Sequence, residues 1–140
     1  MLFDFDLESV IIKIEKLRGR DMTKIAVLSD IHGNTTALEA VLADVQKAEV
    51  DEYWLLGDIL MPGTGRKNIL QTLETLPITL RILGNWEESL WRACHRKLDE
   101  SRPSHRYLLR QCQYIMEEVS IEEIEALQNY PLQVHRQFGD

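Results

Sequence analysis

Two short apolar runs, Ile25 to Leu28 and Tyr53 to Leu56, and a third strand-like segment, Ile78 to Leu83, each stop at a polar turn, and helix-patterned sequence separates them. Apolar runs of this length without alternation are buried on both faces, as parallel strands covered by helices are. The first intervening segment opens with Asn34, a good N-cap, and sets Leu38, Val41, Leu42 and Val45 along one face of a helix from about Thr35 to Lys47. The second passes through Pro62-Gly63-Thr64-Gly65, a loop, into a helix over Asn68 to Leu76. This β-α-β-α-β order predicts an α/β fold with right-handed crossovers, a mainly parallel sheet and chemistry at the carboxyl ends of the strands.

Past Asn85 the pattern is helical. Trp86 to Leu98 and Ser104 to Glu118 are parted by Ser101-Arg102-Pro103, and Ser120 with Glu123 makes a capping box opening Ile121 to Asn129. Pro131 ends that helix before a strand-like Leu132-Gln133-Val134, and Arg136 to Asp140 reads as a hairpin. Leu90, Leu98, Leu108, Leu109, Ile115 and Met116 read as packing positions, and Arg102, Arg106 and Arg110 as a solvated helix face. Residues 1 to 21 differ from the rest. Leu7, Ile11, Ile14 and Leu17 recur at helical spacing before Arg18-Gly19-Arg20-Asp21 breaks the pattern, and Met22 precedes the first buried strand. Two readings stand with equal weight: an upstream extension ahead of a domain covering 22 to 140, or an amphipathic helix packed on that domain.

With 140 residues and 44% apolar content the chain is sized for one domain with its own core. Its 23 acidic residues outnumber 16 basic ones, for a formal charge of -7, so bulk charge argues against nucleic acid as a partner. No apolar run approaches the roughly 20 residues of a membrane-spanning helix. The acidic start, with Asp4, Asp6 and Glu8, is unlike a secretory signal, and the two cysteines, Cys94 and Cys112, form no CxxC pair. Together these predict a cytoplasmic protein with two reduced, structural thiols.

The chemistry sits in the turns after the strands: Ser29-Asp30-Ile31-His32-Gly33-Asn34, Leu56-Gly57-Asp58 and Leu83-Gly84-Asn85-Trp86-Glu87-Glu88. Asp30 and His32 are two apart, so on an extended segment their side chains face one way and share an ion. The oxygen pair of Asp58 can bridge two ions, with Gly57 allowing the tight turn that aims it. Asn85 offers a neutral carbonyl oxygen to a second ion. Gly63-Thr64-Gly65 is a turn, without the GxGxxG or P-loop frame of a nucleotide site.

Asp30-x-His32, Gly57-Asp58 and Gly84-Asn85, in this order and each after a strand, resemble the calcineurin-like metallophosphoesterase superfamily, most of all the small bacterial YfcE-type phosphodiesterases. The likeness covers residues 22 to about 90 well and the later helices loosely. It implies half of that family's sandwich, with Asp30 and His32 on one metal, Asp58 bridging and Asn85 on the other. It also implies hydrolysis of a small phosphomonoester or phosphodiester by a hydroxide activated by two divalent ions. Manganese is the expected metal, with iron, zinc or nickel as alternatives. The residues so implied in catalysis are Asp58, Asn85 and, in a supporting role, Glu87.

Two departures qualify the likeness. Where the family's third motif continues with histidine, or with cysteine or aspartate in small diesterases, this chain has Trp86, which can neither ligate metal nor protonate a leaving group. The family's later histidine and its Gly-His-x-His motif have no counterpart, since the other histidines are His95, His105 and His135, of which His135 is read as a non-ligand. The expectation is a chain corresponding to the N-terminal portion of a longer phosphoesterase, apparently truncated before the last ligand motifs. Its unfinished sheet edges favour a homo-oligomer. The alternative is a degenerate, inactive phosphoesterase-fold domain kept for binding or scaffolding.

Overall fold

The computed structural model describes the backbone of residues 3–5 and 11–14 and, with their side chains, residues 23–137. Its elements run β1 (Phe3–Phe5), β2 (Ile11–Ile14), β3 (Thr23–Leu28), α1 (Thr35–Ala48), β4 (Glu52–Leu55), α2 (Lys67–Glu74), β5 (Ile78–Arg81), α3 (Asn85–Cys94), α4 (Pro103–Ile115) and α5 (Ile121–Leu127). The described strands form one sheet in the order β1-β2-β3-β4-β5. β3, β4 and β5 are parallel, as the βαβαβ pattern predicts. β3 is buried on both faces, with Ile25, Ala26, Val27 and Leu28 all at most 4% exposed.

The helical reading of the N-terminal segment does not hold. Ile11–Ile14 is a strand, paired antiparallel with β3 from Ile11 opposite Ala26 to Ile14 opposite Thr23, and β1 pairs antiparallel with β2. Three of its four residues are isoleucine, whose branched Cβ suits a strand, and the free side of β3 supplies the backbone partners. The sheet is therefore mixed, with an antiparallel half ahead of the parallel one. Leu7 and Leu17 lie outside the described residues.

The helices form where capping and periodicity predict them. The Asn34 side chain accepts from the Ala37 amide at 3.0 Å, and Ser120 and Glu123 cap each other's amides at 3.2 and 2.8 Å. Leu38 and Val45 of α1 are buried, with Val41 and Leu42 half-buried beside them. Leu28 and Leu55 of the sheet join Ile69, Leu90, Ile115 and Ile124 of the helices in one core. Met116 departs from its packing assignment and is exposed. Arg102, Arg106 and Arg110 are exposed, as a solvated face requires. Leu132-Gln133-Val134 forms no strand, and residues 131–137 are irregular and exposed, while residues 138 to 140 of the expected hairpin lie outside the described residues. Bidentate pairing of Arg136 with Glu52, at 2.5 and 2.7 Å, holds this segment to β4.

Cys94 and Cys112 are free thiols at the contact of α3 and α4. Hydrogen bonding with Cys112 and burial push the Cys94 thiol up, away from the reactive thiolate. Among the described residues no helix is long and apolar enough to cross a membrane.

Candidate metal centre

The turns that follow β3 and β4 are stitched together by their backbones. The amides of Asp30, His32 and Gly33 donate to the carbonyls of Gly57, Asp58 and Ile59 at 3.3, 2.9 and 2.8 Å. This ladder carries the parallel pairing of β3 and β4 on into the turns, so two loops that are distant in sequence keep a fixed offset.

The turns are not extended, as the Asp30-x-His32 spacing suggests. Asp30, His32 and Asp58 all lie in the left-handed region, with φ of 54°, 49° and 56°. Aspartate and histidine enter this region more readily than most residues other than glycine, yet it is sparsely populated, and such a conformation persists only where surrounding bonds enforce it. The effect is to bring side chains from two turns together: one ligand atom from each of Asp30, His32 and Asp58 lies within 4.8 Å of the others. His32 Nε2 is 3.5 Å from Asp30 Oδ1.

Each of the three is also oriented from behind. The His32 Nδ1–H donates to the Met61 carbonyl, which leaves Nε2 with its lone pair toward the cluster. The Ser29 hydroxyl donates to Asp30 Oδ2 at 2.6 Å, and the Trp86 amide donates to Asp58 Oδ1 at 2.9 Å. The last bond joins the third turn to the cluster, because Trp86 lies in the first turn of α3, where free amides favour a negative charge. The Trp86 ring stands at 82° to the His32 imidazole with centroids 5.7 Å apart.

The remaining predicted positions divide. Asn85 is exposed and is the first residue of α3, next to the amide that bonds Asp58. Glu87, given a supporting role by the resemblance, points into the protein. It is 2% exposed, and its oxygens accept from the amides of Asp58 at 2.8 Å, Ile59 at 2.7 Å and Gly84 at 3.1 Å. His135 lies outside the cluster, in the exposed segment after α5, and lines an open groove of about 710 Å³ with β5 and Tyr130. His95 pairs with Glu125 at 3.1 Å, and His105 accepts from the Asp99 amide at 2.9 Å.

Sequence reasoning missed the Met61 carbonyl, which no side-chain pattern can announce. It also missed a narrow notch of about 120 Å³ beside Asp30, walled by Ile31, Leu38 and Val41. The helical i, i+3 spacing of Leu38 and Val41 is the signal that could have pointed to it.

Residues 23–136 match the family described as calcineurin-like phosphoesterase. A 61-residue stretch is 38% identical to an uncharacterized protein of Methanocaldococcus jannaschii, covering 44% of this chain and 25% of that one. An 82-residue stretch is 32% identical to a symmetrical bis(5'-nucleosyl)-tetraphosphatase of Sodalis glossinidius, covering 57% of this chain and 29% of the relative. The chain thus matches less than a third of the length of either curated relative. Among solved structures, a metallophosphoesterase from Sphaerobacter thermophilus superposes with a TM-score of 0.57 and 30% identity, over 79% of this chain and 42% of that one.

Proposed function

The chain belongs to the calcineurin-like phosphoesterase family, and from that premise we propose that it hydrolyses small phosphoesters with divalent metal ions held by Asp30, His32, Asp58 and Asn85. The observation that carries this reading is the convergence of a carboxylate, an imidazole and a second carboxylate within 4.8 Å from two separate turns. The donor set fits a divalent ion. Mixed oxygen and nitrogen ligands suit manganese, iron or zinc, and the hydrogen bond from His32 Nδ1 to Met61 gives the imidazole the tautomer a ligand needs.

Divalent ions bound there supply the charge that acidifies water and neutralises phosphoryl oxygens during in-line displacement. The chain's own residues hold and aim. Asp30 and His32 bind from the first turn, and Asp58 has one oxygen engaged by the Trp86 amide and the other free to ligate. Asn85 offers its carbonyl oxygen from the start of α3. Trp86, beside His32, limits the space on that side without offering an acid. Manganese as the metal, a cytoplasmic setting and a second copy of the chain as partner belong to the same proposal.

The test is hydrolysis of bis(p-nitrophenyl) phosphate, p-nitrophenyl phosphate and a dinucleoside tetraphosphate with and without Mn²⁺. The last probe follows from the symmetrical tetraphosphatase among the relatives. The expected result is Mn²⁺-dependent turnover of at least one probe, lost in Asp58→Asn. Mn²⁺ binding without turnover of any probe would favour a binding or scaffold domain, a reading that Trp86 supports because indole cannot protonate a leaving group.

A further inference from the structure

Glu87 is the one charged residue among those described that is fully buried, and no catalytic step uses it. A glutamate in the first turn of a helix ordinarily caps a free amide while remaining in water, as Glu88 next to it remains exposed. Glu87 does cap its own helix, through the Gly84 amide at 3.1 Å. It also reaches out of that helix to the turn after β4, where Asp58 and Ile59 donate to it at 2.8 and 2.7 Å. A buried carboxylate is costly unless it is fully hydrogen-bonded, and amides donating to an ionised acceptor are among the stronger such bonds. Capping α3 alone would not require that burial; joining two turns does.

We infer that Glu87 is a positioning residue that fixes the distance between the Asp58 turn and the Asn85 turn, and through them the spacing of the metal ligands. Its carboxylate lies between the two turns and is bonded to both. The Asp58 backbone is thereby held on its amide by Glu87 and on its side chain by the Trp86 amide, one residue before Glu87. A further bond steadies this tether, because Gln128, just past the end of α5, donates to the Glu87 carbonyl at 3.0 Å. The C-terminal helix is in this way linked to the metal centre without contributing a ligand. The inference rests on the reading of Asp58 and Asn85 as ligands.

The test is Mn²⁺ titration, followed by the loss of the free-ion electron paramagnetic resonance signal, on the wild type, Glu87→Gln, Gln128→Met and Asp58→Asn. Glutamine fills the same space but sets an NH₂ group against amide donors. The expected result is Mn²⁺ affinity about 10- to 100-fold weaker in Glu87→Gln, the range seen when groups behind metal ligands are removed. Gln128→Met, which keeps Glu87 and stays available if the first variant does not fold, is expected to weaken binding severalfold. Amide hydrogen exchange in the metal-free protein should speed up at Asp58, Ile59 and Gly84 in Glu87→Gln, while the amides of β3 keep their protection. If the wild type binds Mn²⁺ and both tether variants bind it equally well, Glu87 only fills space and the inference is overturned. If the wild type and Asp58→Asn alike fail to bind, the ligand reading itself is wrong and the inference goes with it.

Discussion

Gly57 and Gly84 meet backbone to backbone, and a Cβ added to either would overlap the turn that carries the other. Gly57 has φ of +84°, so alanine there is strained as well as crowded, whereas Gly84 has φ of -85° and would suffer from crowding alone. The Cβ on Gly84 would also meet the carboxylates of Asp58 and Glu87. Gly57→Ala is therefore expected to cost about 2 to 5 kcal/mol, combining overpacking with left-handed strain, and Gly84→Ala about 1 to 3 kcal/mol. Urea unfolding midpoints at constant slope measure both. Equal, sub-kilocalorie losses would show that the two turns can part.

The Asn34 side chain faces a different task from the proposed ligands four and two residues before it. Its oxygen accepts from the Ala37 amide at 3.0 Å and opens α1. Asn34→Ala should lower stability by about 1 kcal/mol and leave Mn²⁺ affinity unchanged, since it removes a helix cap and no ligand. A loss of metal affinity at unchanged stability would place Asn34 among the ligands instead.

The parallel half of this fold was legible because its signals are local. Ile25 to Leu28 can be apolar throughout only if both faces are buried, and Asn34, Ser120 and Glu123 announce their helices within four residues. The antiparallel half was not. Ile11 and Ile14 suit one face of a helix as well as a strand, and the choice is made by the free side of β3, a partner outside that segment. In the candidate metal centre, residue types were readable but conformations were not. Asp30 and His32 face a common point through left-handed backbone, enforced by bonds to Gly57 and Asp58 carbonyls, rather than through an extended segment. Glu87 and Glu88 look alike in sequence, and only the approach of the Asp58 turn buries the first and leaves the second in water.

The segment after α5 should respond to acid. The Thr79 hydroxyl and then the Arg136 guanidinium hold the Glu52 carboxyl below the usual glutamate range, against an opposing effect of burial. A carboxylate depressed on folding contributes stability that is complete above its ordinary pKa and is lost as pH falls through the lower folded value. Attachment of residues 131–137 should thus be constant near neutrality and weaken below about pH 4, where unperturbed glutamate takes up its proton. Glu52→Gln should mimic the acid state at every pH and speed tryptic cleavage after Arg136 severalfold at pH 8. Unchanged cleavage would mean that contacts other than the Glu52 pair hold the segment.

Trp86 should govern which leaving groups the protein can expel. Its amide is committed to Asp58 and its ring stands edge-on beside His32, so the side chain next to the cluster is one that cannot supply a proton. An ester whose alcohol leaves as a stable anion, such as a p-nitrophenyl ester, does not need that proton, whereas an alkyl ester does. Histidine at this position fits within the space of the indole and can act as a general acid, which typically contributes about 10²-fold or more. Trp86→His is therefore expected to raise turnover of an alkyl phosphoester about tenfold or more relative to the p-nitrophenyl ester, with Mn²⁺ affinity little changed because the backbone bond to Asp58 remains. Steady-state kinetics on the paired substrates decide the matter. An equal change in both rates would show that protonation of the leaving group is not what Trp86 withholds.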